Sequence, residues 1–182
     1  GSKIGLLLYN CAEYYETFLA ALKMRMVPFN VNYRYVGAEL SYLLDNADCE
    51  ALVYHRSMAG VVREVLPALP LVKVAIEVDD GGEGWERAQP YEAVLAASAP
   101  APRTARQPDD YHLMYTGGTT GLPKGVICHV APWSTGLTAM FATNVLGLPS
   151  APMSVEQLVA TAQALRAKSV VPVVMPASPL MH

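Results

Sequence analysis

The densest group of residues that could do chemistry is Y-T-G-G-T-T-G-L-P-K-G, which runs from Tyr115 to Gly125 and is called the phosphate loop below. Its glycines allow backbone N–H groups to converge on an anion, and its threonine hydroxyls add further donors. Lys124 adds a mobile positive charge that suits phosphate oxygens. The combination predicts a polyphosphate site. The residues that would contact the ligand are Thr116, Gly117, Gly118, Thr119, Thr120, Gly121 and Lys124.

The spacing of this loop differs from that of two common nucleotide-binding motifs. A Walker A loop needs G-x-x-x-x-G-K-[ST] followed at once by a helix, whereas here Pro123 precedes the lysine and Gly125 follows it. The glycines also do not fit the G-x-G-x-x-G spacing of a dinucleotide fold. A plain hairpin between Tyr111–Thr116 and Val126–Val130 would gain nothing from three threonines and a Lys-Gly pair. We therefore favour a binding loop of another kind.

Strands and helices alternate before the loop, which predicts an α/β fold with a largely parallel sheet and flanking helices. The predicted strands are Val27–Val31, Ala51–His55, Val72–Val78, Tyr111–Thr116, Val126–Val130 and Val170–Met175. Asn10 with Glu13 predicts a capping box for the first helix, and Ser57 predicts a cap for a later one. Ser154 with Gln157 predicts a third cap.

The composition excludes several classes of protein. Of the 182 residues, 52% are hydrophobic and 16% are charged, which is too apolar for a disordered chain. The net charge of −3 and the lack of a basic run argue against nucleic acid as a partner. We find no targeting signal and no apolar stretch long enough to span a membrane. Three cysteines without metal-type spacing favour reduced thiols in a cytoplasmic protein.

The phosphate loop resembles the signature of the adenylate-forming (AMP-binding) superfamily, and the chain is most similar to a bacterial fatty-acid–CoA ligase, an acyl-CoA synthetase. Val27–Leu44 and the terminal Pro179–His182 carry the same similarity. The resemblance implies that His182 lies near the acyl substrate. Gly117 stands where many members of the family have serine.

The resemblance also implies a fold, in which this chain is an incomplete part of a large N-terminal domain. Residues 1–98 would form a first αβ portion, 99–110 a linker, and 111–182 the portion with the phosphate loop. The small C-terminal domain of the family would be absent. We expect apolar surface at the truncated edge, through which the isolated chain could self-associate.

The implied activity is that of an ATP-dependent acyl-CoA ligase, which forms acyl-AMP from a carboxylic acid and transfers the acyl group to CoA. Lys124 and Thr120 would act in catalysis, and the main ligand of Mg²⁺ would lie outside the chain. Two alternatives remain open. The acceptor could be a carrier-protein thiol or another nucleophile, or the isolated chain could be an inactive αβ module. We expect the chain by itself to be inactive.

Overall fold

The computed structural model of the chain describes residues 1–102, 104–117, 121–145, 147–148 and 154–169. Its strands are β1 (Lys3–Leu7), β2 (Val27–Asn30), β3 (Ala51–His55), β4 (Val74–Val78), β5 (Gln89–Pro90), β6 (Tyr111–Thr116) and β7 (Lys124–His129). Its α-helices are α1 (Ala12–Lys23), α2 (Gly37–Asn46), α3 (Ala59–Val65), α4 (Tyr91–Ala97), α5 (Val130–Met140) and α6 (Val155–Ala167). Short 3₁₀ turns, Arg56–Met58 and Leu66–Ala68, flank α3.

The strands form one seven-stranded sheet in the order β5-β4-β3-β1-β2-β6-β7. The pairs β1–β2, β1–β3, β2–β6, β3–β4 and β4–β5 are all parallel. The order in which strands are added to the sheet changes direction at β1. Strand β2 lies on one side of β1, and strand β3 lies on the other. The predicted α/β class with a largely parallel sheet is confirmed.

The first compact unit, Gly1–Cys128, has a hydrophobic core on each face of this sheet. One core contains the buried residues of α2 and α3, and the other contains buried residues from α1 and α4. Successive residues of β1 contribute to opposite cores, because side chains alternate across a strand. Leu6 belongs to one core and Leu7 to the other, and both are fully buried. The buried faces explain why the chain is so apolar.

Several predicted elements match the structure, and two predicted caps are wrong. The strands Ala51–His55 and Tyr111–Thr116 have the predicted bounds. The N-cap of α1 is Cys11, whose backbone is extended. The helix therefore begins one residue later than the capping box predicted at Asn10 requires. Ser57 lies in a 3₁₀ turn before α3, and its backbone N–H donates to Asp80 Oδ1 at 2.8 Å.

The second compact unit begins at His129 and contains α5, a π-helical turn at Phe141–Val145, and α6. The predicted cap of α6 is confirmed, because the Ser154 hydroxyl accepts a hydrogen bond from the Gln157 backbone N–H at 3.2 Å. The predicted strand Val170–Met175 lies outside the described residues. Within the described part of the chain, no helix has both the length and the apolar character needed to cross a membrane.

Candidate functional site

The phosphate loop joins the carboxyl end of β6 to the start of β7, and these strands are neighbours in the sheet. Thr116 is the last residue of β6, and Gly117 follows it. Lys124 is the first residue of β7, two positions earlier than the strand predicted from the sequence. In open α/β sheets, ligands bind beyond the carboxyl ends of the strands. The start of the loop therefore lies at the edge of the sheet where a ligand is expected.

The backbone of Tyr115 is fixed by a side chain from the neighbouring strand. The Asn30 Nδ2 group donates to the Tyr115 carbonyl at 3.0 Å, and the Tyr115 N–H donates to Asn30 Oδ1 at 2.7 Å. Both residues are buried. The residue just before Thr116 thus has both of its backbone polar groups satisfied by one amide.

The side chain of Tyr115 is held as firmly as its backbone. Its hydroxyl donates to Asn46 Oδ1 on α2 at 2.8 Å, and its ring lies 5.9 Å from that of Phe29. Burial raises the pKa of Tyr115 to about 12, and the nearby Tyr42 and Asp48 act in the same direction. The hydroxyl therefore remains a neutral donor at physiological pH.

Two glycines of the loop lie where a side chain would be disfavoured, one because of its backbone conformation and the other because of a close contact. Gly121 has a φ of 134°, a conformation that strains any residue with a Cβ. A Cβ on Gly125 would lie 3.0 Å from Cζ of Tyr115, so a side chain there would require the Tyr115 ring to move by a few tenths of an ångström. Gly117 is different, because among the described residues a Cβ there would meet only the Tyr35 hydroxyl, at 3.8 Å. The described surroundings therefore leave room for a small side chain at this position.

The far end of the loop also contacts the α2 side of the sheet. Pro123 is buried, and its carbonyl accepts a long hydrogen bond of 3.4 Å from the Tyr42 hydroxyl. Lys124, the next residue, is exposed, as are Thr116 and Gly117. A hydroxyl and an ammonium group are thus accessible at the two ends of one loop. Both groups donate hydrogen bonds to phosphate oxygens.

The start of β6 is fixed by an ion pair with the end of α1. Arg25 Nε lies 2.7 Å from Asp110 Oδ1, and the Arg25 guanidinium lies 3.6 Å from Asp109. The pKa of Asp110 is lowered, first by the hydrogen bond from the Gln107 backbone and then by Arg25. Contacts from α1 and β2 therefore anchor both ends of the strand that leads into the loop.

The structure locates four of the predicted site residues: Thr116, Gly117, Gly121 and Lys124. The others, Gly118, Thr119, Thr120 and His182, lie outside the described residues. Asn30, which binds the Tyr115 backbone at the start of the loop, is not among the residues predicted from the sequence. A single amide within the apolar run V-P-F-N-V was the available signal for Asn30. Across the residues that the structure covers, no group of three His, Cys, Asp or Glu side chains could hold a metal ion.

Relatives of known activity share much of this sequence. Over 127 residues the chain is 47% identical to a "Medium-chain acyl-CoA ligase Mig" from Mycobacterium avium, covering 68% of this chain and 23% of that protein. It is 44% identical over 135 residues to a "3-oxocholest-4-en-26-oate--CoA ligase" from Rhodococcus rhodochrous, covering 70% and 24%. The chain thus spans about a quarter of the length of these relatives.

Solved structures share the fold at lower identity. An anthranilate CoA ligase, AuaEII, in complex with anthranoyl-AMP superimposes with a TM-score of 0.69 at 21% identity, covering 77% of this chain and 27% of that one. An acyl-CoA synthetase from Brucella canis gives a TM-score of 0.64 at 19% identity, covering 78% and 26%. The family model described as "AMP-binding enzyme" matches residues 1–179. The chain therefore belongs to the AMP-binding enzyme family.

Proposed function

We propose that this chain is the phosphate-loop portion of an ATP-dependent acyl-CoA ligase that activates a medium-chain carboxylic acid. The observation that carries the proposal is the phosphate loop itself, at the carboxyl end of β6 in a chain 47% identical to a medium-chain acyl-CoA ligase. Because the chain spans about a quarter of that relative, the activity is proposed for the full-length protein. The proposed division at residues 98 and 111 remains a prediction.

The reaction takes place in two transfer steps. An oxygen of the carboxylate attacks the α-phosphorus of ATP, and the bond to pyrophosphate breaks, leaving acyl-AMP. The CoA thiolate then attacks the acyl carbonyl, and AMP leaves with the electron pair of the broken carbon–oxygen bond. The first step gathers negative charge on the leaving pyrophosphate, so positioned donors lower its barrier without covalent participation.

Within this scheme the loop residues have separate roles. The backbone N–H groups of Gly117, Gly118 and Gly121 would hold the β- and γ-phosphates. The hydroxyls of Thr116, Thr119 and Thr120 would add hydrogen bonds, and Lys124 would supply the charge. The exposure of Thr116 and Lys124 supports these roles. His182 would contact the acyl group.

The proposed cofactors follow from the same chemistry. ATP and CoA are substrates, and we expect the reaction in the cytoplasm, where both are available. We expect the main protein ligand of an ATP-bound Mg²⁺ ion to lie outside this chain, since such an ion usually takes only one or two carboxylates from the protein. The isolated chain is expected to be inactive and to self-associate through exposed apolar surface.

Substitution of Lys124 in the full-length protein tests the role of the loop. We expect Lys124→Ala to lower the rate of ATP–pyrophosphate exchange at least tenfold, because the charge on the leaving group loses its counterpart. Lys23→Ala is the matched control, since Lys23 is an exposed lysine on α1, away from the loop. Melting temperatures of both variants should stay near that of the unsubstituted protein. An unchanged exchange rate in Lys124→Ala would refute the role.

A substrate comparison tests the acid and the acceptor. The acids assayed with the full-length protein would be fatty acids of 6 to 18 carbons and 3-oxocholest-4-en-26-oate. Each acid would be tested with CoA and with a phosphopantetheinyl carrier protein as the acceptor. We expect the highest kcat/KM for a medium-chain acid with CoA. Thioester formation on the carrier protein alone would instead establish the alternative acceptor.

A further inference from the structure

The strand that leads into the phosphate loop lies between β2 and β7 in the sheet and has a short register with β2. The register of β2 with β6 contains one residue pair, Phe29 with Leu113, whereas that of β3 with β4 contains five. The next residue of β2 after Phe29 is Asn30, whose amide binds the N–H and the carbonyl of Tyr115. A side chain therefore supplies the hydrogen bonds that a strand neighbour would normally supply.

An amide side chain suits this position better than other short side chains do. Asparagine carries a donor and an acceptor on separate atoms, which matches the carbonyl and the N–H of one residue. A carboxylate of the same shape could accept from the Tyr115 N–H but would face the Tyr115 carbonyl without a proton. Asn30 and Tyr115 are 7% and 6% exposed, so water has little access to replace a lost hydrogen bond.

The contacts of the Tyr115 side chain also limit the movement of the far end of the loop. The Tyr115 hydroxyl binds Asn46 on α2, and the Tyr115 ring lies against the position of Gly125 just inside β7. A shift of the Tyr115 backbone would therefore move Thr116 and Gly117 directly and disturb the packing at Gly125. Small displacements of binding groups are enough to weaken catalysis strongly.

We propose that Asn30 is a positioning residue for ATP: its side-chain amide fixes the carboxyl end of β6 and thereby sets the orientation of the phosphate loop. Asn30 acts on the loop through its two hydrogen bonds with the Tyr115 backbone. The inference rests on the proposed function for its link to ATP, but the geometry of the Asn30–Tyr115 contact stands independently of it.

Kinetics of Asn30→Asp in the full-length protein test the link to ATP. We expect the KM for ATP in pyrophosphate exchange to rise at least tenfold, while the KM for the carboxylic acid changes less than twofold. Val53→Ala is the control for a purely structural effect, because Val53 is buried in β3 away from the loop. It should lower the melting temperature without raising the KM for ATP. Equal increases of both KM values in Asn30→Asp would overturn the proposal.

Hydrogen exchange provides a readout that does not depend on activity. In Asn30→Asp we expect the backbone amides of Tyr115 and Thr116 to exchange at least tenfold faster, with no change in β1 and β3. Unchanged exchange at Tyr115 would overturn the proposal even if the protein were active. Absence of pyrophosphate exchange in the unsubstituted protein would count against the proposed function alone. If Asn30→Asp does not fold, Asn30→Ala, which removes both hydrogen bonds without adding a charge, should show faster exchange at the same two amides.

Discussion

The two halves of the sheet are stabilised in different ways. Strands β1 to β4 have registers of four or five residue pairs, and Leu52 and Tyr54 of β3 are fully buried. Strand β6 has one register pair with β2 and is also held by the Asn30 amide and the Arg25–Asp110 ion pair, while β7 is almost entirely exposed. Stability therefore resides in the first half, and the residues predicted to do chemistry lie in the second, where a few polar contacts decide the geometry.

The largest effect should come from the core of the first half. Leu52→Ala removes a fully buried side chain, so we expect a loss of about 2–5 kcal/mol in the free energy of unfolding. Ile127→Ala on β7 is the control, and should change it by less than about 0.5 kcal/mol because Ile127 is 59% exposed. Urea unfolding of the chain measures both values. Equal losses of unfolding free energy in the two variants would mean that both halves of the sheet contribute equally to stability, which would contradict the difference described above.

A smaller effect is expected where the loop meets β7. Gly125→Ala places a methyl group 3.0 Å from Cζ of Tyr115, and the resulting overpacking should destabilise by about 1–3 kcal/mol. Gly117→Ala adds the same methyl group into a position with room for it, so its effect should stay within about 0.5 kcal/mol. Thermal unfolding of the two variants tests the difference. A larger loss for Gly117→Ala than for Gly125→Ala would contradict the packing seen around Tyr115.

The smallest effect concerns the ion pair that anchors the start of β6. The pKa of Asp110 is lowered in the folded state, so its contribution is present above the ordinary value of 3.8 and is lost as the pH falls below it. Asp110→Asn should therefore destabilise by about 1 kcal/mol at pH 7 and flatten the fall in stability between pH 5 and pH 2.

Asp109→Asn is the matched control for this measurement. Asp109 also faces Arg25, but at 3.6 Å and with its side chain 84% exposed. Urea unfolding as a function of pH should give nearly the same curve for Asp109→Asn as for the unsubstituted chain. A curve for Asp110→Asn that keeps the full acid dependence would show that other carboxylates are responsible for it.

Local patterns predicted much of the fold, because short-range signals determine many of its elements. The strands Ala51–His55 and Tyr111–Thr116 and the cap at Ser154 were all predicted correctly. The caps at Asn10 and Ser57 were wrong, because Cys11 is the N-cap of α1 and Ser57 lies in a 3₁₀ turn. At Ser57 the backbone N–H binds Asp80, 23 positions along the chain, and a local cap signal carries no information about such a contact.

The candidate site shows the same division between local and distant information. The composition of the phosphate loop predicted the ligand chemistry, since glycine, threonine and lysine act there through their own groups. The contact between Asn30 and Tyr115 could not be predicted, because 85 positions separate the two residues and no periodicity links them. The order of the sheet decides that contact, and the sequence pattern predicted parallel strands without their order.

The place of β6 beside β2 also affects how the protein is made. During synthesis β1 to β4 are complete once residue 78 has left the ribosome, so β2 is an open edge of the sheet until β6 arrives. An open edge invites pairing with other chains, and proline weakens such pairing because it lacks an N–H. Pro28 occupies the second position of β2. We therefore expect it to protect the nascent chain from aggregation before the phosphate loop has been synthesised.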